Sequence, residues 1–274
     1  MTETTSVTII TGASEGIGAE LARQLAARYG AGLRLVLAAR KLDALEAVAI
    51  QCRARGAEVL VVATDVSDPG QCRALVDTTM EHFGRIDTLV NNAGISAQAL
   101  LQDVEAADLH WYEDLMRVNL WGSVWCTHAA LPHLKASRGR IVAISSLAGL
   151  IGVPGRTAYS ASKFAMTGFF EALRAELKPT GVSVTTAYPG VVLTDIRAHG
   201  LNAQGKVAGS SGLKEDKAMT VAECAYLIAT GMQKRQREVV MTAQGKLGRF
   251  LKLVLPGLVE RMALAALKDE VKPR

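Results

Sequence analysis

The chain has 274 residues, 49% of them apolar, enough for one large α/β unit with a sizeable core. No apolar run reaches the roughly 18 residues of a membrane-spanning helix, so no spanning helix is expected. The net charge of +5 belongs to the tail: residues 232–274 hold ten Lys and Arg against four Asp and Glu, so a basic nucleic-acid-binding body is excluded.

The four cysteines, Cys52, Cys72, Cys126 and Cys224, are scattered through apolar-patterned segments and form no Cys-x-x-Cys pair. Buried free thiols are expected, not disulfides or a metal site. The first residues lack a basic region followed by an apolar core, so no secretory signal and a cytoplasmic location are expected.

Val7-Thr8-Ile9-Ile10 reads as a short buried strand. The glycine-rich turn Thr11-Gly12-Ala13-Ser14-Glu15-Gly16-Ile17-Gly18 follows it. An apolar stripe (Ile17, Leu21, Ala22, Leu25) then runs at helical spacing to about Tyr29. Such a turn lets the backbone approach a pyrophosphate and presents helix N-terminal amides to it. It would serve equally as a tight strand–helix connection with no ligand.

Residues 33–39 form the second strand. It ends at Ala39, followed by Arg40 and Lys41, with no carboxylate before Asp43. A carboxylate at that strand end would bind a free ribose hydroxyl, whereas an arginine accommodates a 2′-phosphate. The pattern predicts NADP(H). Glu15 opposes it, since its charge sits in the glycine loop.

A helix is expected over 42–55 with Leu42, Leu45, Val48, Ala49 and Cys52 inward, then a third strand over 58–63. Ser67-Asp68-Pro69 has the chemistry of a helix start, and Gly84 ends that helix. The fourth strand, 86–90, leads into Asn91-Asn92-Ala93-Gly94. Residues 108–135 carry Trp111, Leu115, Val118, Trp121 and Val124 at helical spacing, with Asn119 among them. A buried Asn there needs a partner.

A fifth strand, 140–145, ends in Ser145-Ser146. Thirteen residues after Ser146 comes Tyr159-Ser160-Ala161-Ser162-Lys163. The apolar residues that follow, Phe164, Phe169, Phe170, Leu173 and Leu177, recur at helical spacing, so the phenol and the ammonium leave one helix face a turn apart. A cation beside a phenol favours the ionised form, which suits a proton donor and acceptor. Residues 182–188 form the sixth strand, followed by Pro189-Gly190-Val191-Val192-Leu193-Thr194. From about 195 to 218 glycines and polar residues dominate, the pattern of a mobile substrate lid. Thr220-Val221-Ala222-Glu223 is a capping box, and 238–242 a last strand. The alternation predicts a Rossmann-type doubly wound parallel sheet of about seven strands in residues 1–244.

Residues 246–267 add Leu247, Phe250, Leu251, Val254, Leu255, Leu258, Val259, Met262 and Leu267, with Lys246, Arg249, Lys252 and Arg261 interleaved. Pro256-Gly257 predicts two short amphipathic helices. The extension, 245–274, would pack on the domain or a partner subunit, or meet anionic lipid peripherally.

As a set and in this order, the glycine turn, Asn91-Asn92-Ala93-Gly94, Ser146 and the Tyr159/Lys163 pair resemble the short-chain dehydrogenase/reductase family. The resemblance spans about residues 6–241, and the C-terminal extension resembles the 11β-hydroxysteroid dehydrogenase-like branch. It implies an NADP(H)-dependent oxidoreductase that interconverts a hydrophobic ketone or aldehyde and an alcohol without a metal. Asn119, Ser146, Tyr159 and Lys163 would be catalytic, with Asn119 bending its helix and holding a relay water. The cofactor would lie on Gly12, Ser14, Glu15, Gly16, Ile17, Gly18 and Arg40. Asp65, Val66, Asn92, Ala93 and Gly94 would hold its adenosine half. Tyr159, Lys163, Pro189, Gly190, Val192 and Thr194 would hold the nicotinamide half. The resemblance also implies a homodimer or homotetramer. A catalytically idle NADP-binding sensor or scaffold is the alternative reading.

Overall fold

The computed structural model describes residues 6–216 and 218–267. The end of the expected extension, 268–274, and Lys217 of the expected lid lie outside the described residues. Seven parallel strands form one sheet in the order β3-β2-β1-β4-β5-β6-β7. They are β1 Ser6–Thr11, β2 Leu33–Ala39, β3 Glu58–Ala63, β4 Thr88–Asn91, β5 Arg140–Ile144, β6 Ser183–Tyr188 and β7 Glu238–Val240. Sequential strands run outward from β1 on one side and from β4 on the other. The order therefore reverses between β1 and β4, and a crevice opens at the carboxyl ends of those strands.

Helices cover both faces. On one side, α1 (Gly16–Tyr29), α2 (Leu42–Arg53) and α7 (Val221–Gln233) bury Leu21, Leu25, Leu45 and Ile228 against β1 and β2. On the other, α3 (Pro69–Phe83), α5 (Gly122–Ser137) and α6 (Thr157–Leu177) bury Leu75, Leu134, Met166 and Phe170. Both faces being covered explains the near-continuous apolar runs of β1, β2 and β5. The start of α3 is capped as its sequence predicts: Asp68 Oδ1 accepts from the amides of Gly70 (2.7 Å) and Gln71 (3.2 Å). All four cysteines are free and buried.

Three local expectations need correction. Ladder pairing of β4 begins at Thr88, not residue 86. The Asp87 carboxylate accepts the Val7 amide at 2.9 Å and so takes the place of a strand carbonyl. The long helix expected over 108–135 is broken. It runs as α4 (His110–Met116), one π-helical turn (Arg117–Trp121) and α5, and the wider turn rotates Trp121 outward to stack on Trp125, with ring centroids 5.9 Å apart. Leu42, the first residue of α2, is exposed, so the inward stripe begins at Leu45.

The extension folds as α8 (Ala243–Val254) and α9 (Pro256–Ala265), split at Pro256 as expected. Its basic residues do not form one solvent-facing stripe. Arg249 pairs with Glu238. Lys252 donates to the Leu150 carbonyl at 3.0 Å and lies over the Phe164 ring.

One close approach sets the register of the catalytic half. A Cβ on Gly149 would stand 2.6 Å from the carbonyl oxygen of Lys163 and from Ser145 Oγ. Gly149→Ala therefore forces the loop after β5 away from α6. The expected loss is about 1–3 kcal/mol of unfolding free energy, the usual cost of overpacking. Chemical denaturation should show it as a lower midpoint with an unchanged slope; an unaltered midpoint would mean the loop yields without cost.

Candidate active site

A cleft of about 1840 Å³ lies over the carboxyl ends of the strands. The glycine turn forms one wall. Gly12 has φ +64°, and a Cβ there would meet Ala93 Cα at 2.8 Å; a Cβ on Gly18 would stand 2.4 Å from the Gly12 carbonyl oxygen. Only glycine permits both approaches. Thr11 Oγ1 accepts the amides of Asn92 and Ala93, each at 3.1 Å, and Asn92 Nδ2 donates to the carbonyls of Thr11 (2.9 Å) and Gly12 (3.0 Å). The turn is thus stitched to the end of β4.

The first turn of α1 contains no acidic residue, and Glu15 at its N-cap makes no side-chain cap. Those amides are left for an anion, and a dinucleotide pyrophosphate fits this cradle. Glu15 instead faces His199 of the 195–218 segment at 3.8 Å. Gly12, Ser14, Glu15, Gly16 and Ile17 line the cleft. Gly18 does not; its role is packing against Gly12.

Arg40 stands exposed at the cleft edge beyond β2. Asp65 lines the same end, with Oδ1 already accepting from the amide (2.9 Å) and hydroxyl (2.7 Å) of Ser67. It therefore buttresses the turn after β3 whatever else it binds. Val66, Asn92, Ala93, Gly94, Pro189, Gly190, Val192 and Thr194 also line the cleft; a Cβ on Gly94 would stand 3.5 Å from Lys163 Nζ, and one on Gly16 3.4 Å from Thr194 Cγ2.

Ser146, Tyr159 and Lys163 line the middle of the cleft. Ser146 follows β5 by one residue and caps a short 3-10 turn, its Oγ accepting from the Ala148 amide at 3.1 Å. Neighbouring Ser145 points away and donates to the Lys163 carbonyl at 3.2 Å. Tyr159 and Lys163 share one face of α6. Lys163 is 4% exposed; its Nζ donates to the Ile144 carbonyl at 3.0 Å and lies 5.8 Å from the centre of the Tyr159 ring. Burial alone lowers the Lys163 pKa from 10.5 to about 8.

Asn119 lies fully buried outside the cleft, within the π-helical turn. Its Oδ1 accepts from the Ile95 amide at 2.8 Å. Its Nδ2 donates to the Ile95 carbonyl at 3.0 Å and to Ser162 Oγ at 2.9 Å. The side chain thus ties the segment after Gly94 to α6. A helix-bending position is what the sequence predicts; the two-sided clamp on Ile95 is additional.

Sequence reasoning passed over Arg156, the residue before α6. It is 7% exposed, lines the cleft, and places its guanidinium carbon 4.7 Å from the Tyr159 ring centre. The one available signal was a basic residue three positions before Tyr159.

The depressed lysine has a measurable consequence. Between about pH 8 and 10.5 the unfolded chain binds a proton at residue 163 that the folded chain has released, so stability rises with pH across that window. Below pH 8 the buried charge costs on the order of 3 kcal/mol. In cofactor-free protein, the stability of Lys163→Met relative to wild type should be highest near neutral pH and decline toward about pH 10. A difference that does not change with pH would show that the amine titrates normally.

The sequence model of the short chain dehydrogenase family matches residues 6–204. The chain is 34% identical over 271 residues to "11-beta-hydroxysteroid dehydrogenase-like 2" of Arabidopsis thaliana, covering 98% of this chain and 84% of that one. It is 35% identical over 271 residues to "Dehydrogenase/reductase SDR family protein 7-like" of Dictyostelium discoideum, covering 97% and 83%. Among solved structures, a short chain dehydrogenase/reductase from Burkholderia phymatum in complex with NAD superposes with a TM-score of 0.79 at 27% identity, covering 94% and 96% of the two chains. An alcohol dehydrogenase from the archaeon Thermococcus sibiricus, complexed with 5-hydroxy-NADP, gives 0.71 at 26% identity, covering 86% and 94%. The chain belongs to the short-chain dehydrogenase/reductase family, and its fold is that of a nicotinamide-nucleotide oxidoreductase.

Proposed function

We propose that the protein is an NADP(H)-dependent carbonyl reductase or alcohol dehydrogenase acting on a hydrophobic substrate, with Tyr159 as general acid and base. The observation that carries this reading is the meeting of Ser146, Tyr159 and Lys163 in the middle of a cleft whose one end is a glycine cradle for a pyrophosphate. The nicotinamide, when bound, supplies the hydride to the carbonyl carbon. Tyr159 delivers a proton to the oxygen as negative charge develops on it. Ser146 donates a hydrogen bond to that oxygen, worth most in the transition state. Lys163 holds ribose hydroxyls and, as a cation, favours the phenolate that Tyr159 becomes. Asn119 keeps the wall at Ile95 in register with α6 and supports a proton-relay water.

NADP(H) is preferred over NAD(H) because Arg40 stands at the end of β2 with no carboxylate beside it, while Glu15 is turned to His199. The hydrophobic substrate is supported by the outer cleft, where Leu213, Val259 and Met262 contribute apolar surface.

Tyr159→Phe should lower kcat by at least about a thousandfold while NADPH affinity stays within about threefold. In the same titrations Arg40→Ala should lose a preference for NADPH over NADH of roughly tenfold or more. Undiminished turnover by Tyr159→Phe sinks the proton-transfer role. Tight NADPH binding by a wild type that turns over no carbonyl or alcohol favours the idle sensor instead.

The extension is proposed to touch membranes peripherally in an otherwise cytoplasmic, homo-oligomeric enzyme. Leu247, Phe250, Leu253, Val254 and Leu255 are all more than half exposed, Leu253 reaching 80%. Such an apolar patch beside basic residues suits an anionic lipid surface. The intact protein should co-sediment with phosphatidylglycerol-containing vesicles, and the Phe250→Glu/Leu253→Glu double variant should remain in the supernatant. Absence of wild-type binding rejects lipid contact.

A further inference from the structure

Three cations are buried around the cleft: Lys163, Arg156 and Arg197 are 4%, 7% and 8% exposed. A charge taken out of water needs a partner or a task, since its desolvation costs several kcal/mol. Arg197 has a partner. Its Nη2 stands 2.7 Å from Glu215, its Nε donates to Ser211 Oγ at 3.1 Å, and its Nη2 donates to the Val192 carbonyl at 2.9 Å. Lys163 has a task in the proposed reaction.

Arg156 has neither. Its Nε donates to the Ala97 carbonyl at 3.3 Å and its Nη2 to Ser96 Oγ. These use two of five N–H donors. No ion pair joins it to any carboxylate among the described residues. The carboxylates elsewhere on the cleft wall are otherwise placed: Glu15 faces His199, Asp65 holds Ser67, and Asp114, Asp195 and Asp216 are exposed. Burial lowers the Arg156 pKa; Tyr159 acts in the opposite sense, and Arg197, a like charge, adds to the lowering. A guanidinium stays protonated all the same.

We infer that Arg156 determines specificity by anchoring a carboxylate on the substrate, close to the reacting carbonyl, so that amphipathic oxo acids and their hydroxy-acid partners are the preferred substrates. The placement fits. The guanidinium carbon sits 4.7 Å from the centre of the Tyr159 ring, so an anion on its free edge lies near the carbonyl that Tyr159 would protonate. The planar fork pairs with a carboxylate through two parallel hydrogen bonds, and in a partly dry cleft such a pair is stronger than in water. The apolar wall at Val153, Leu213 and Met262 then holds the hydrocarbon body. Hydrophobic and anionic recognition are combined in one site. The inference rests on the proposed oxidoreductase reading.

Two matched probe pairs test it: benzoylformate against its methyl ester, and benzoylpropionate against its methyl ester, with NADPH. Wild type should favour at least one acid over its ester by ~10–100-fold in kcat/KM, the value of a charge-assisted hydrogen-bonded pair. Arg156→Gln should abolish that preference, read as the ratio of kcat/KM for acid to that for ester within the variant. Arg156→Lys, which keeps the charge but not the fork, should retain part of it and guards against a folding defect in the first variant. Equal losses on acid and ester, or a wild-type preference for both esters, would overturn the inference and leave Arg156 a tie between residues 96–97 and α6. Should wild type reduce none of the four, the oxidoreductase reading fails separately. Calorimetry of acid and ester binding to the NADP-loaded protein then decides the anchor. Acid-selective binding lost in Arg156→Gln upholds it, and no selective binding removes it.

Discussion

A buried ammonium bonded to a strand end holds this site together. Lys163 Nζ donates to the carbonyl of Ile144, the last residue of β5, and has almost no contact with water. The bond fixes α6 against the sheet at one height. Ser145, the next residue along, returns a hydrogen bond from its hydroxyl to the Lys163 carbonyl. Helix and strand end are therefore joined twice, in opposite directions, across two adjacent residues of the strand end. Tyr159, one turn earlier on α6, and Ser146, one residue later in the loop, inherit their relation from that joint. Burying the amine works against stability, as its lowered pKa shows. A buried charge in place of an apolar side chain is what the proposed proton-transfer role calls for.

The other half of the cleft is held by polar stitching alone. Four hydrogen bonds join Thr11 and Gly12 at the end of β1 to Asn92 and Ala93 at the end of β4, the two strands where the sheet order reverses. Asn119 continues the chain of ties: it grips both backbone groups of Ile95 and reaches Ser162 beside Lys163. The glycine turn and the Tyr159/Lys163 helix are thus each tied by side-chain hydrogen bonds to the segment 92–95 that follows β4. Each bonded group must stay satisfied, because an orphaned member would cost the full desolvation of its group.

Much of this was legible in the chain. Strand and helix order followed from apolar runs and periodicity, and the glycine turn from Gly12, Gly16 and Gly18. The thirteen-residue step from Ser146 to Tyr159 was read directly. What escaped had identifiable causes. Trp121 sits at helical spacing with Leu115 and Val118, but a π turn adds a residue and rotates it outward; no periodicity reports an inserted residue in advance. The start of β4 shifted because a side chain, Asp87, supplied a ladder acceptor. Arg156 escaped because burial of a charge is a tertiary fact. In the sequence it is one basic residue in a Gly-Arg-Thr turn, the usual composition of a solvated helix start.

The extension joins the two chemistries of the cleft. In α9, Val259 and Met262 turn toward the cavity, while the apolar residues of α8 turn to solvent. Arg249 and Lys252, exposed on α8, pair with Glu238 and with the Leu150 carbonyl in the loop after Ser146. Lys252 thus ties α8 to the loop after Ser146, and Arg249 ties it to the start of β7, while the apolar row stays outside. One helix pair both lines the cleft and presents that row, so removing the extension would disturb both surfaces at once. Placing carboxylates on the outer row, at Phe250 and Leu253, alters the surface and leaves Val259 and Met262 in place.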